Sequence, residues 1–160
     1  MINKSNFLNI VLYEPEIPQN TGNIARLAAC IGAKLFLVGR LGFILSDKHL
    51  KRAGLDYWDK LEIEQVDSLD NLINSFKESN FYYLTTKSNN IYTNCNFKKG
   101  DFLVFGPETR GIPEDILFSN KDKCLTIPMR KETRSLNLSN SVAIVSYEAV
   151  RQFGNIYEGE

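Results

Sequence analysis

Two loop segments carry the residue types that could hold a ligand and support chemistry. In Gly106–Gly111 (GPETRG), glycines let the backbone approach a ligand closely, and a carboxylate and a guanidinium stand between them. In Ser135–Ser141 (SLNLSNS), hydroxyls and amides stand where a helix begins, and free backbone N–H groups there can hold polar ligand atoms. Each segment alone also fits a simpler interpretation, a turn with a surface ion pair in the first case and a helix cap in the second.

Several common kinds of site are disfavoured. The first loop lacks the Gly-Lys-Ser/Thr ending of a phosphate-binding Walker loop, and no G-x-G-x-x-G follows the first predicted strand. His49 is the only histidine and stands in a basic segment that we expect at the surface, so a histidine triad or histidine metal cluster is disfavoured. The three cysteines are widely spaced, which favours a reducing cytoplasm over a disulfide scaffold.

The chain has zero formal net charge, so its overall electrostatics do not indicate a nucleic-acid partner. Local basic groups exist around Lys48, Lys51 and Arg52 and between Lys121 and Arg134. Such groups could meet phosphates, but a solvated basic loop is an equally good interpretation. No apolar run approaches the length of a membrane span.

Apolar strands alternate with amphipathic helices, which predicts a single α/β domain over residues 1–160 with a parallel sheet, and 1–6 and 154–160 fraying at its ends. Both loops follow predicted strands, so we expect the site at the carboxyl ends of the sheet. The predicted strands are Phe7–Tyr13, Lys34–Val38, Leu61–Val66, Phe81–Thr85, Asp101–Phe105 and Lys123–Ile127. The predicted helices run from Pro18 to a stop at Gly32, over Ser68–Ser79, from Pro113 to Phe118, and over Ser139–Phe153.

Two helices carry further information. Helical spacing places Arg26 opposite the apolar stripe of the first helix, so its side chain should face water or a partner. The last helix is apolar on most sides, including Val142, Val145 and Tyr147, which predicts burial in the fold or in a subunit contact.

Three segments occur in an order and spacing that resemble a known family. EPEIPQNTGNIAR (Glu14–Arg26), FGPETRG (Phe105–Gly111) and IPMRKETRSLNLSNSVAIVSYE (Ile127–Glu148) are similar to the three motifs of the SPOUT-class RNA 2′-O-ribose methyltransferases. The similarity is closest to the small enzymes that methylate the tRNA wobble nucleotide, a cytidine or modified uridine. RAGLDYW (Arg52–Trp58) and LTTK (Leu84–Lys87) extend it over nearly the whole chain.

The resemblance implies a SPOUT fold, in which the C-terminal segment of a parallel α/β sheet is threaded into a deep trefoil knot. It implies S-adenosylmethionine as cofactor, with S-adenosylhomocysteine as product, no metal, and a homodimer with a composite active site. It also implies a cytoplasmic enzyme without a membrane, acting on the anticodon loop of tRNA, with leucine isoacceptors as the expected substrates.

Residue roles follow from the same resemblance, position by position. Arg26, Asn20, Glu108 and Asn137 match the reaction centre, with Arg26 reaching into the other subunit's site. The cofactor-binding positions are Leu84, Gly106, Ile127, Ser135, Leu136 and Leu138, and Ser135 also matches the reaction centre. The tRNA-binding candidates are Lys48, Lys51, Arg52, Arg130, Lys131 and Arg134.

Because a guanidinium normally cannot act as a base, Arg26 suits a clamp on the substrate phosphate better than a proton acceptor, and the phosphate or a bound water would receive the hydroxyl proton. Two other functions stay open at this stage. One is a noncatalytic factor that binds S-adenosylmethionine and RNA, which the intact reaction-centre set speaks against. The other is a SPOUT methyltransferase that acts on another RNA site or on a base; the SLNLS segment resembles the ribose-modifying branch and so speaks against action on a base.

Overall fold

A computed structural model describes residues 7–46, 48, 52, 60–154 and 157 of the 160-residue chain. The strands are β1 (Leu8–Tyr13), β2 (Lys34–Val38), β3 (Ile63–Val66), β4 (Phe81–Leu84), β5 (Asp101–Phe105) and β6 (Cys124–Leu125). The helices are α1 (Pro18–Ile31), α2 (Leu69–Ser75), α3 (Glu114–Ser119) and α4 (Leu138–Phe153). Two 3₁₀ turns are Tyr92–Asn94 and Lys121–Lys123.

All strands of the described residues join one parallel sheet in the order β3-β2-β1-β5-β4-β6. The chain first moves from β1 outward to β3, and then crosses to the other side of β1, where β5 pairs with β1. The predicted α/β class with a parallel sheet flanked by helices is therefore confirmed. In such sheets a ligand crevice forms at the carboxyl ends of the strands, where the strand order reverses.

Two apolar cores cover the two faces of the sheet, and the strands supply them by simple alternation. In β1, Leu8, Ile10 and Leu12 belong to the core on one face and Val11 to the core on the other. Because both faces are covered, the central strands are continuous apolar runs, as expected for a parallel sheet. All of β5, including Asp101, is buried.

The sequence predicted both ends of α1 correctly. Pro18 stands at the first helical position, where its missing N–H costs nothing, and Gly32 ends the helix in the left-handed conformation with φ 72°. Arg26 is exposed, as its position opposite the apolar stripe predicts.

The C-terminal helix returns from the edge of the sheet to its middle. β6 lies at the edge beside β4, whereas α4 packs against α1, β1 and β5. Val142, Val145 and Ala149 are fully buried in that contact, while Tyr147 is 51% exposed. The chain between β6 and α4 therefore crosses the carboxyl end of the sheet, where it can line a site.

Five elements are shorter than predicted, β1 and β4 by one residue each because β1 begins at Leu8 and β4 ends at Leu84. β3 begins at Ile63 rather than Leu61, and β6 has two paired residues because Thr126 bridges to Ile91 instead of continuing along β4. α2 ends at Ser75 rather than Ser79, because Phe76 leaves the helical conformation with φ −134°. Its ring then packs on Phe102, with centroids 4.9 Å apart, and 38% of Phe76 stays exposed.

Some predictions fall on residues that the structure does not describe. His49, Lys51 and residues 53–58 of the RAGLDYW segment lie outside the described residues, as do residues 1–6. At the other end Tyr157 is described, and its hydroxyl donates to the backbone oxygen of Ile31 over 3.2 Å. None of the helices in the described ranges is long and apolar enough to cross a membrane.

Candidate active site

A cavity of about 490 Å³ opens at the carboxyl ends of β4, β5 and β6. Its walls come from the ends of these strands, the loop Gly106–Gly111, the segment before α4 and the first turn of α1. This volume lies within the range of about 300–1,000 Å³ that small-molecule sites occupy. The two loops that the sequence singled out thus face the same cavity, as predicted from their position after strands.

Gly106 brings backbone against backbone at the floor of this cavity. A Cβ atom at this position would lie 2.3 Å from the Ile112 nitrogen and 2.4 Å from the Gly111 carbonyl carbon. The loop closes through a hydrogen bond of 2.9 Å from the Gly111 N–H to the Pro107 oxygen, and Gly111 has φ 68°. Only glycine fits both positions without strain, so the fold requires them whatever ligand binds.

The carboxylate of Glu108 caps α1 from another part of the chain. It accepts hydrogen bonds from the backbone N–H groups of Glu16 (2.8 Å) and Ile17 (3.1 Å). The helix has no side-chain cap of its own, because Ile17 is its N-cap residue, and its first turn holds no acidic residue. A negative charge at this end also interacts favourably with the helix dipole, so Glu108 fixes α1 to the β5 loop.

A chain of side-chain hydrogen bonds joins all three sequence motifs. The Asn20 amide donates to Glu108 Oε1 over 3.4 Å, and the Asn137 amide donates to Asn20 Oδ1 over 3.2 Å. Asn137 Oδ1 in turn accepts from the backbone N–H of Ser139 over 2.9 Å and from its hydroxyl over 2.6 Å. Asn137 is thereby both the N-cap of α4 and the link to α1.

A second carboxylate makes the reverse connection. Glu16 Oε1 accepts from the backbone N–H of Thr109 over 3.1 Å, and the Thr109 hydroxyl lies 2.7 and 2.9 Å from the two carboxylate oxygens. These hydrogen bonds, first that from the hydroxyl, lower the pKa of the Glu16 carboxyl below its ordinary value. Beside them, Arg110 and Glu14 form an ion pair of 3.2 Å.

Nine of the ten residues predicted for the reaction centre and the cofactor line this cavity. They are Asn20, Leu84, Gly106, Glu108, Ile127, Ser135, Leu136, Asn137 and Leu138. Arg26 does not line the cavity of its own chain; it lies on the exposed side of α1. The structure thus brings nine of the ten predicted residues together at one cavity and leaves Arg26 outside it.

The predicted tRNA-binding residues are less concentrated. Lys48, Arg52, Arg130, Lys131 and Arg134 are all exposed, and Lys51 lies outside the described residues. Arg130, Lys131 and Arg134 stand on the segment that joins β6 to α4 and that also supplies Ser135 to the cavity. Of the predicted basic groups, this segment is therefore the one that adjoins the site along the chain.

Sequence reasoning missed Glu16 and Thr109 as parts of the site. The sequence indicates Glu16 only as part of the turn that closes β1, and Thr109 only as a loop residue. Thr109 lies 93 residues after Glu16, and no spacing rule indicates a contact over that distance. One feature of the sequence could have drawn attention to Glu16. Its carboxylate follows the central strand β1 and directly precedes α1, a helix whose own residues offer no side-chain cap.

No group of three or more His, Cys, Asp or Glu side chains in the described part of the chain could hold a metal ion. The polar groups that line the cavity are amides, hydroxyls, backbone groups, the Glu108 carboxylate and the basic side chains of Lys87 and Arg110. Such groups can orient a polar ligand, and Leu84, Ile127 and Leu138 add apolar surface to the same cavity.

Known proteins resemble this chain over nearly its whole length. A tRNA (cytidine(34)-2′-O)-methyltransferase from Escherichia coli is 45% identical over 148 residues, which cover 92% of this chain and 94% of the relative. A solved structure described as concerning 2-OH methylation of C or U at position 34 of tRNA has 42% identity and a TM-score of 0.88, covering 93% of this chain and 97% of its own.

More distant structures share the fold. The SpoU methyltransferase AviRb from Streptomyces viridochromogenes, solved in complex with the cofactor AdoMet, is 24% identical with a TM-score of 0.80, covering 94% of this chain and 59% of its own. Residues 7–147 match the model of the SpoU rRNA Methylase family. The resemblance inferred from the three motifs is therefore confirmed. The chain belongs to the SpoU rRNA Methylase family, among its tRNA (cytidine(34)-2′-O)-methyltransferases.

Proposed function

We propose that this chain transfers a methyl group from S-adenosylmethionine to the ribose 2′-oxygen of nucleotide 34 of tRNA, a cytidine or a modified uridine. The observation that carries the proposal is the hydrogen-bonded set Glu108, Asn20 and Asn137, which joins all three family motifs at one cavity. Leucine isoacceptors are the proposed substrates. The enzyme acts in the cytoplasm, where tRNA is available.

The cavity fits the proposed methyl donor. Gly106 lets the backbone of Gly111 and Ile112 pack directly against it, which shapes one wall of the cavity, and Leu84, Ile127 and Leu138 offer apolar surface to an adenine ring. Ser135 and the backbone around Leu136 offer polar contacts to the ribose and the methionyl group. The bound donor supplies an activated sulfonium methyl, so the chain has to align the acceptor oxygen and keep water out.

We propose that the segment from β6 to α4 closes the family's trefoil knot around this cavity. Its path supports the idea, because it starts at the edge strand and ends at a helix packed over the middle of the sheet. The Asn137 to Asn20 hydrogen bond holds the end of the segment against α1. A knot would fix both walls of the donor site without a lid.

The reaction centre needs a second subunit on this proposal. Arg26 is exposed and stands outside the cavity of its own chain, so it can serve a partner's site in a homodimer. Ile17, Leu136 and Tyr147 are 40%, 37% and 51% exposed, which is apolar surface that a subunit contact would cover. There Arg26 clamps a substrate phosphate, while Asn20 and Asn137 orient the ribose.

tRNA binding then relies on local basic groups, since the chain has no net charge. Arg130, Lys131 and Arg134 are exposed beside the cavity-lining Ser135, and the dimer doubles their number. Lys48, Lys51 and Arg52 extend the proposed surface. An anticodon loop suits such a small enzyme because its unpaired nucleotides expose their 2′-hydroxyls.

The direct test is methyl transfer from isotopically labelled S-adenosylmethionine to unmodified tRNA, followed by nucleoside analysis. The proposal expects label in a 2′-O-methylated nucleoside that maps to position 34. Label in a base, or at another position, would indicate a different SPOUT activity. Donor binding without any transfer would indicate a noncatalytic RNA-binding factor.

A mixed dimer tests the composite site. Chains carrying Arg26→Ala and chains carrying Asn137→Ala should each form homodimers with roughly a tenth of the wild-type turnover or less. When they are coexpressed with different tags and purified through both tags, the heterodimer holds one intact site. We expect it to recover about half of the wild-type turnover. A heterodimer as inactive as its parents would place Arg26 in its own chain's site instead.

A further inference from the structure

Two glutamates connect the start of α1 and the β5 loop in opposite directions. The Glu108 side chain accepts from the backbone N–H groups of Glu16 and Ile17, at 2.8 and 3.1 Å. The Glu16 side chain accepts from the backbone N–H and the hydroxyl of Thr109, the residue after Glu108. Each carboxylate therefore holds the backbone on which the other one stands.

This reciprocal arrangement fixes a side chain more tightly than either connection alone. Glu108 can only reach Asn20 if its backbone stays close to the start of α1, and the Thr109 hydrogen bonds to Glu16 supply that restraint. Hydrogen bonds to a carboxylate are about twice as strong as those between neutral groups. Removal of the hydrogen bonds between Glu16 and Thr109 should therefore let the loop tip move.

The backbone of Glu16 is held from a third side as well. The Gly42 N–H donates to the Pro15 oxygen over 2.9 Å, and a Cβ atom at Gly42 would lie 2.8 Å from the Glu16 Cα. Glu16 is thus wedged between the loop after β2 and the loop after β5. Its carboxylate extends from a fixed base, which makes it a suitable anchor for the tip of the β5 loop.

We propose that Glu16 is a positioning residue of the methyl-transfer reaction, acting through Thr109 to hold the Glu108 carboxylate beside Asn20. This inference rests on the function proposed above. Glu16 itself does not line the cavity, whereas Thr109, Glu108 and Asn20 all line it. Its effect should therefore reach the reaction through the geometry of Glu108 and Asn20.

The expected consequence falls on turnover rather than on donor binding. The proposed donor contacts at Leu84, Ile127 and Leu138 belong to other segments, and Gly106 is held by its own backbone packing. Misplacing reactive groups by about 1 Å can cost roughly a hundredfold in rate. We expect kcat to fall roughly tenfold to a hundredfold, with the donor Kd within about twofold of wild type.

Four variants of the dimeric enzyme test this inference. Glu16→Ala removes the acceptor, and Thr109→Val removes the hydroxyl while keeping the shape and the backbone N–H. Thr109→Ser keeps the donor, and Glu16→Gln keeps one acceptor oxygen in place. We expect a low kcat for Glu16→Ala and Thr109→Val. We expect a kcat near that of the wild type for Thr109→Ser and an intermediate kcat for Glu16→Gln. The double variant Glu16→Ala/Thr109→Val should be no worse than the poorer single variant.

A remote pair of similar kind serves as the control. Glu64 accepts from the Lys34 amine over 2.7 Å at the β3 edge of the sheet, so Glu64→Ala should leave kcat and the donor Kd unchanged. Calorimetric donor binding and thermal melting are measured for every variant, so that kcat is compared among folded molecules only. Thr109 is exposed, and its Val variant should fold normally.

The possible outcomes separate the two claims. If the wild type is active and Thr109→Val keeps its kcat, the positioning role is wrong while the proposed function stands. Equal losses in kcat and donor affinity would also overturn it, because they would place Glu16 in the support of the donor cavity. A wild type that binds donor but methylates no tRNA would overturn both claims.

Discussion

The side-chain amide of Asn137 donates a hydrogen bond of 3.2 Å to the side-chain oxygen of Asn20, 117 residues earlier in the chain. Asn137 is the N-cap of α4, and Asn20 lies in the first turn of α1, so this bond joins the starts of two helices that pack against each other. Through Glu108 it continues to the β5 loop. One amide thus couples the C-terminal segment to the rest of the site.

Replacing Asn137 by alanine should reduce both stability and turnover. The variant loses the α4 cap, which costs about 1 kcal/mol, and it loses the hydrogen bond that orients Asn20. We expect turnover to fall roughly tenfold, since a net loss of about 1.4 kcal/mol corresponds to that factor. Chemical unfolding and single-turnover methyl transfer measure the two effects separately.

Ser68→Ala is a matched control for this prediction. Ser68 caps α2 by accepting from the Asn71 N–H over 3.1 Å, and it follows β3 at the edge of the sheet opposite β6. It should lose a similar amount of stability while its turnover per folded molecule stays at the wild-type value. If both cap variants lose activity equally, Asn137 affects turnover only through stability.

Gly106→Ala should abolish donor binding. The added Cβ would lie 2.3 Å from the Ile112 nitrogen, a clash that the backbone must move to relieve, at a cost of about 1–3 kcal/mol. Gly100→Ala is the comparison, because nothing lies within 4 Å of its Cβ and only its φ of 93° is unfavourable. Gly100 precedes β5 at the amino end of the sheet. The Gly100→Ala variant should keep the wild-type donor affinity, measured by calorimetry. A Gly106→Ala protein with normal donor affinity would contradict the assignment of the cavity as the donor site.

Removing basic residues next to the cavity should weaken tRNA binding and make it less dependent on salt. For each phosphate that the variant no longer neutralises, the slope of log K against log salt should decrease in magnitude by about 0.7 to 0.9. We therefore compare Lys131→Ala/Arg134→Ala with Lys98→Ala/Lys99→Ala, exposed lysines before β5. Only the first pair should show a smaller slope in filter binding, with donor binding unchanged in both. Equal slopes for the two double variants would show that the β6 to α4 segment is not part of the tRNA-binding surface.

The stability of the fold should depend on pH through Glu16. Its pKa is lowered from the ordinary 4.5 by the hydrogen bonds from Thr109, so the folded state favours the charged carboxylate. The stabilisation is present above pH 4.5 and is lost as the pH falls through the lowered pKa. Glu16→Gln cannot titrate, so its urea midpoint should fall less steeply below pH 4.5 than that of the wild type. Parallel pH curves for both proteins would contradict this assignment. Because Arg151 lowers the pKa of Glu148, this residue also contributes to the pH dependence of the urea midpoint, in the wild type and in Glu16→Gln alike.

Much of the fold could be predicted because local signals agree with the tertiary structure. The apolar run at β5 and the Pro18 and Gly32 limits of α1 are determined by nearby residues, and the structure keeps them. The short β6 could not be predicted, because Thr126 pairs with Ile91, which is remote in sequence. The early end of α2 likewise depends on the packing of Phe76 against a distant ring.

The site, like the fold, could be predicted from the sequence only in part. Its cavity position followed from loops at strand ends, but the roles of Asn20 and Asn137 came from the family resemblance, since periodicity carries no information on contacts 117 residues apart. Neither the position of the loops nor the family resemblance predicted the contact between Glu16 and Thr109. Their contact depends on the parallel β1 to β5 pairing, which places the ends of those strands side by side.

The most direct test of the central claim uses one changed atom in the substrate. An anticodon stem-loop with ribose at position 34 is compared with the same RNA carrying 2′-deoxyribose there, both with labelled S-adenosylmethionine. We predict methyl transfer to the first and none to the second, with similar binding of both RNAs. Equal methylation of the two RNAs would contradict the account, because the accepting atom could then not be the 2′-oxygen of that nucleotide.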